Sequence, residues 1–137
     1  MKAKIYLSKI EIIERRIKRN NERIAYLRAL ADGMKGVRYD TDPVQTSPSD
    51  MMSLRIGEIV DLERLNADET VRLEKVKEEI ISKIEMIDDA DAEDVLFYHW
   101  VEHRSFQAIA EMIPCSLRNV HYIHGRGLAK LTEVLNR

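Results

Sequence analysis

The chain has 137 residues, of which 34% are charged and 45% hydrophobic, and its formal net charge is −2. That length suits one domain, or one small domain with an appendage, and the balanced charge argues against a non-specific DNA coater. A single cysteine, Cys115, excludes an internal disulfide and fits a reducing, cytoplasmic setting, and no apolar run is long enough to span a bilayer.

The start, M-K-A-K-I-Y-L-S-K-I-E, lacks the apolar region of a signal peptide. From about Lys4 to Ala31 the spacing predicts one long helix. Tyr6, Ile10, Ile13, Ile17, Asn20, Ile24, Leu27 and Ala31 alternate in steps of four and three, a heptad seam with one polar insertion at Asn20. Residues 1–31 carry nine Lys or Arg against three acids.

Gly33 to Asp50, with two glycines, two prolines and several Asp, Ser and Thr, reads as a linker. It is long for a bare helix–helix connection. Ser47 or Ser49 is placed to cap a second long helix, expected from about Asp50 to Ile87. Met52, Ile56, Ile59, Leu62, Leu73, Val76, Ile80, Ile84 and Ile87 share one face of it, and the stripe weakens between Asn66 and Thr70. Asn20 and Asn66 read either as register devices or as seam residues that meet water. Residues 51–94 hold six bases and fourteen acids, so the second helix is acidic where the first is basic. The pair is expected to close as an antiparallel, coiled-coil-like hairpin, within one chain or between two. The expected division is residues 1–88 as hairpin and oligomerisation region, with linker 33–50, and 89–137 as a second domain.

Asp88-Asp89-Ala90-Asp91-Ala92-Glu93 marks the boundary, because acids favour a helix N-terminus. A helix over about 90–103 would turn Val95, Leu96, Tyr98 or His99, and Trp100 inward, with Trp100 anchoring a small core. Phe106, Ile109, Ala110 and Ile113 then share a face of a short helix that Pro114 stops. Ser116 is a good N-cap for a last helix near 117–135, whose apolar stripe is Val120, Ile123, Leu128 and Leu131. Two short helices joined by about three residues match the helix-turn-helix that sets a recognition helix in the DNA major groove.

Counted from that cap, Leu117, Arg118, Asn119, His121, Tyr122 and Gly125 lie away from the stripe. Arg118 suits guanine O6 and N7, Asn119 suits adenine N6 and N7, and Leu117, His121 and Tyr122 complete the base-reading candidates. Arg104, Ser105, Gln107, Arg126 and Lys130 are the candidates for phosphate contact, with N-capping as an alternative task for Ser105. So few cations make tight binding by a monomer unexpected, and a homo-oligomer, a dimer first, formed through the N-terminal helices would double the contacts.

The segment S-F-Q-A-I-A-E-M-I, then C-S-L-R-N-V-H-Y-I-H-G-R-G-L-A-K-L, resembles region 4 of the bacterial sigma-70 family over roughly residues 88–135. Ser105-Phe106, Ile109-Ala110, Cys115-Ser116, Val120-x-x-Ile123 and Gly127-Leu128-Ala129-Lys130-Leu131 carry the resemblance. The family's recognition helices usually place R-E-R after the serine cap, where this chain has Leu117, Arg118 and Asn119. The whole layout is similar to small phage and prophage proteins of Gram-positive bacteria, including late-gene transcription regulators of the ArpU and RinA type. The resemblance implies an all-α protein that binds double-stranded DNA to control transcription, with RNA polymerase as a second partner. Two other readings stay open: a small DNA-packaging subunit of a phage terminase, and a polymerase-docking module without DNA readout.

His99-Trp100-Val101-Glu102-His103 matches the H-x-x-E-H zinc-peptidase pattern, but no third ligand stands out, so neither metal nor cofactor is expected. No phosphate-binding loop, dinucleotide fingerprint or nucleophile–base arrangement occurs, and the chain does not read as an enzyme.

Overall fold

In the computed structural model, which describes residues 2–35 and 48–137, every regular element is a helix, and no strand occurs among the described residues. In chain order these are α1 (Lys2–Leu7), α2 (Lys9–Lys35), α3 (Pro48–Glu85), α4 (Ala90–Leu96), a π-helical turn (Phe97–Val101), α5 (Phe106–Met112) and α6 (Leu117–Leu135). No described helix is long and apolar enough to cross a membrane. Residues 36–47 of the expected linker, and with them Ser47 as a cap, lie outside the described residues.

The single first helix expected over Lys4 to Ala31 is interrupted at Ser8. The Ser8 hydroxyl donates back to the Ile5 carbonyl at 2.8 Å, a local bond that competes with regular helix geometry. The ladder still passes through: Ser8 N–H donates to Lys4 O at 2.9 Å and Ile12 N–H to Ser8 O at 3.0 Å.

The described chain divides into two compact units, residues 1–13 with 73–137, and residues 14–72. Neither unit begins or ends at residue 88. The reason is burial at both ends of the first unit. Ala3, Leu7 and Ile10 are completely buried, as are Ile80, Val95, Leu96, Ile109, Val120 and Leu131. Here α1 packs against α6, and Lys2 Nζ donates to Asn136 Oδ1 at 2.7 Å. The start of the chain is part of the core that supports α6.

In the unit 14–72, α2 and α3 meet along the expected seam and run in opposite senses. Partner numbers fall on α3 as they rise on α2: Arg16 faces Glu69, Asn20 bonds Asn66, and Arg28 pairs with Glu63. Ile24, Leu27 and Ile59 form its buried cluster, with Leu62 packed on them. Ile56, expected on the same face, is instead 51% exposed. It lies about 60° round the helix from Ile59, outside the contact stripe.

The polar insertion is a hydrogen-bonded node. Asn20 Nδ2 donates to Asn66 Oδ1 at 2.8 Å, and Asn66 Nδ2 donates to Asn21 Oδ1 at 2.8 Å. Asn66 is 9% exposed, so these bonds replace water rather than compete with it. Slipping the pair by one turn would leave the buried Asn66 amide without these partners. Asn66→Ala is expected to cost about 1–3 kcal/mol of unfolding free energy, by the rule for orphaned buried polar groups. Asn20→Leu with Asn66→Leu is expected to recover most of that loss. Denaturant melts of the three proteins check it, and an unchanged Asn66→Ala midpoint would rule out the node as a structural element.

Candidate nucleic-acid interface

Local chemistry sets α5 and α6. Ser105, with extended φ −68° and ψ 157°, accepts from Ala108 N–H at 3.1 Å and so caps α5. Ile113, preceding Pro114, leaves the helical region at φ −107° and ψ 83°, as a residue before proline must. Ser116 is again extended, and its Oγ accepts from Asn119 N–H at 3.0 Å to start α6. The four residues between the helices turn the chain without any left-handed backbone, since the only non-glycine residues at positive φ among those described are Asp88 and His103.

Buried Val120, Ile123, His124, Gly127, Leu128, Leu131 and Val134 face α6 inward. At Gly127 the helices approach closely. A Cβ there would come within 3.2 Å of Ala92 Cβ and of the Leu96 side chain, tighter than ordinary contact, so a larger residue would need α4 to give by a few tenths of an ångström.

The opposite side of α6 is open. Leu117, Arg118, Asn119, His121 and Tyr122 are all exposed, Leu117 at 41% and Tyr122 at 67%. Ser116, Arg118, Asn119 and Tyr122 line a shallow surface hollow of about 430 Å³. The first turns of α6 therefore bring the base-reading candidates to one surface, with His121 set towards α5, 4.6 Å from the Phe106 ring.

The phosphate candidates fare differently. Gln107 is exposed, and Ser105 is occupied as the α5 cap. Arg104 Nε donates to Glu102 at 2.9 Å and its guanidinium lies over the Tyr98 ring. Arg126 and Lys130 both turn to Asp89. Arg126 donates from Nε to Oδ2 at 2.7 Å and from NH2 to Oδ1 at 3.2 Å, and Lys130 Nζ donates to Oδ2 at 3.0 Å. Asp89 also caps α4, accepting from Ala92 N–H at 3.2 Å. These donors, Arg126 and then Lys130, hold its carboxyl well below the usual carboxylate range. Charge composition did not find this arrangement. The signal was there in two cations one turn apart on α6 and an acid at the head of the preceding helix pair.

Sequence reasoning also missed His124. Trp100, expected in the core, is half-buried, and its indole Nε1 donates to His124 Nε2 at 3.1 Å. Indole only donates, so Nε2 must be unprotonated and the imidazole neutral. Burial, then the nearby charges of His99, Lys4 and His121, push the His124 pKa down to about 4. The π-helical turn sets Trp100 for this contact, and His99 stacks on Phe106 at 4.1 Å, with its Nδ1 2.9 Å from the Arg104 carbonyl. Among the described residues, no group of three His, Cys, Asp or Glu side chains is placed to hold a metal ion. The H-x-x-E-H pattern serves aromatic packing at His99.

No family model, no curated protein and no solved structure matches the chain.

Acid is expected to destabilise this unit in two steps. Folding lowers the His124 pKa, so between pH 6.5 and about 4 the unfolded chain binds the extra proton and stability falls as pH falls. The full loss is roughly 3 kcal/mol. Folding also lowers the Asp89 pKa, so its contribution is present above its ordinary value and disappears below it. Denaturant melts followed by fluorescence of Trp100, the single tryptophan, read the first step directly. His124→Gln is expected to flatten the slope above pH 4, and an unaltered slope would refute the assignment.

Proposed function

We propose that this chain is a DNA-binding transcriptional regulator whose α5–turn–α6 segment acts as a helix-turn-helix. The observation that carries the reading is the outward side of α6. A serine-capped helix held by a buried stripe offers Arg118, Asn119 and Tyr122 to solvent together at its first turns. In this reading Arg118 reads guanine and Asn119 reads adenine from the major groove, with Leu117 against a thymine methyl. His121 and Tyr122 contribute further contacts, and exposed Gln107 reaches the backbone. The resemblance to sigma-70 region 4 and to phage late-gene regulators supports a promoter-proximal, phage or prophage role. The antiparallel pair in residues 14–72 supplies the surface on which two copies join, so that two half-sites are read together.

Footprinting of the purified protein over its own genome's late promoter region tests this. Arg118→Ala is expected to weaken the specific complex roughly 5- to 150-fold, the equivalent of about 1–3 kcal/mol, with little change in non-specific binding. Equal loss on all sequences would assign Arg118 to phosphate instead. No retardation of any fragment, even at low salt, would overturn the reading.

A second reading, a module that docks on RNA polymerase without reading DNA, is favoured by one observation. Arg126, Lys130 and Arg104 are already paired with acids of the same chain. Asp89→Asn separates the two. Asparagine keeps the α4 cap but drops the charge, releasing two cations beside the DNA-facing side. On the DNA reading, binding tightens and the logarithmic salt slope steepens by roughly 1–2. On the docking reading, gel shifts stay absent and polymerase pull-down persists.

A further inference from the structure

Among the described residues of the span 14–72, more large apolar side chains lie in solvent than are buried. Ile24, Leu27 and Ile59 fill the seam. On α3, Ile56, Val60 and Val71 lie exposed on one flank at 51%, 43% and 57%, while Met51, Leu54 and Leu65 lie exposed on the other. The three residues of the first flank fall within about 60° of one another around the helix axis. Steps of four and eleven residues return to nearly the same side of a helix with 3.6 residues per turn. It borders an open groove of about 370 Å³ lined by Ala31, Met52, Ile56 and Val60, with Arg28 and Glu63 at its rims.

A pair of helices with one thin seam is a single layer. Stable architectures bury such a layer against a second one. The rim charges indicate what the second layer is. Arg28 on α2 and Glu63 on α3 pair across the groove mouth within the chain. A two-fold axis along the groove would bring each copy's Arg28 beside the other's Glu63, so the same patch complements itself. A partner of a single charge sign would gain at one rim and be repelled at the other.

We propose that the chain forms an isologous dimer through the Ile56–Val60 flank of α3, with residues 14–72 of two copies packed as a four-helix layer. The proposal deepens the paired-copy part of the function above and does not rest on DNA readout.

Light scattering and native mass on the full chain test it without DNA present, so the answer is independent of the gel shifts. The expected mass is twice the 16.0 kDa of one chain, falling on dilution. Val60→Glu is expected to give the single-chain mass with helical circular dichroism retained, because Val60 is exposed in one copy. Leu54→Glu, on the other flank, is expected to leave the dimer intact. A single-chain mass for the unaltered protein overturns the proposal, as does a dimer that survives Val60→Glu or is dissolved by Leu54→Glu. Should Val60→Glu lose helicity, Val60→Cys combined with Cys115→Ser decides. Mild oxidation is expected to join two folded copies through one disulfide, and failure to cross-link overturns the dimer.

Discussion

The carboxylate of Asp89 is the point on which the C-terminal unit turns. One oxygen accepts from Ala92 N–H and Arg126, and the other from Arg126 and Lys130. A helix start has unpaired amides and a partial positive charge, so it attracts an acid. Two cations one turn apart on α6 attract the same acid from the other side. A single side chain therefore fixes where α4 begins and the rotation of α6 about its own axis. The stacking of Arg126 over Tyr122, with 5.7 Å from guanidinium to ring centre, carries that constraint to the outward surface.

The remaining contacts of α6 depend on the closeness this permits. Gly127 lets α4 approach to a distance at which an added Cβ would sit only 3.2 Å from Ala92 and Leu96, tighter than ordinary contact. The π-helical turn after α4 changes the rotation of the chain by a fraction of a turn. That change points Trp100 at His124 instead of past it. An ionised imidazole would have no acceptor to offer the indole, so the packing of α4, the turn and α6 selects a neutral histidine. Geometry and protonation state are here one constraint.

The sequence made helix type and helix ends legible wherever the cause is local. Ser105 and Ser116 cap the helices they were expected to cap, and Ile113 ends α5 because of Pro114. Seam residues such as Ile10, Ile13, Ile24 and Leu27 are buried as their spacing required. Causes acting across the chain were not legible. A partner 37 residues away for Arg126, or the burial of the first residues beneath α6, leaves no periodic mark. The acids clustered after residue 87 read as a boundary in the sequence, and one of them, Asp89, ties the start of α4 to α6, a bond that composition does not reveal. Ile56 shows the same limit at smaller scale: a stripe predicts a face to within one neighbouring position, and burial needs the partner helix.

On the proposed reading, the paired cations have a consequence for selectivity. Phosphate neutralisation drives non-specific affinity, and Arg126, Lys130 and Arg104 are held by acids of their own chain. Arg118 has no ion pair among the described residues and is exposed on the first turn of α6. A surface with its cations held back binds arbitrary DNA weakly, and weak background binding raises the ratio that matters in a genome full of competing sites. The missing affinity must then come from a second copy, because each half-site adds its base contacts without adding indiscriminate charge. On the proposed reading, self-pairing through residues 14–72 and charge restraint beside α6 would be two halves of one design, in which discrimination comes from geometry and attraction from number.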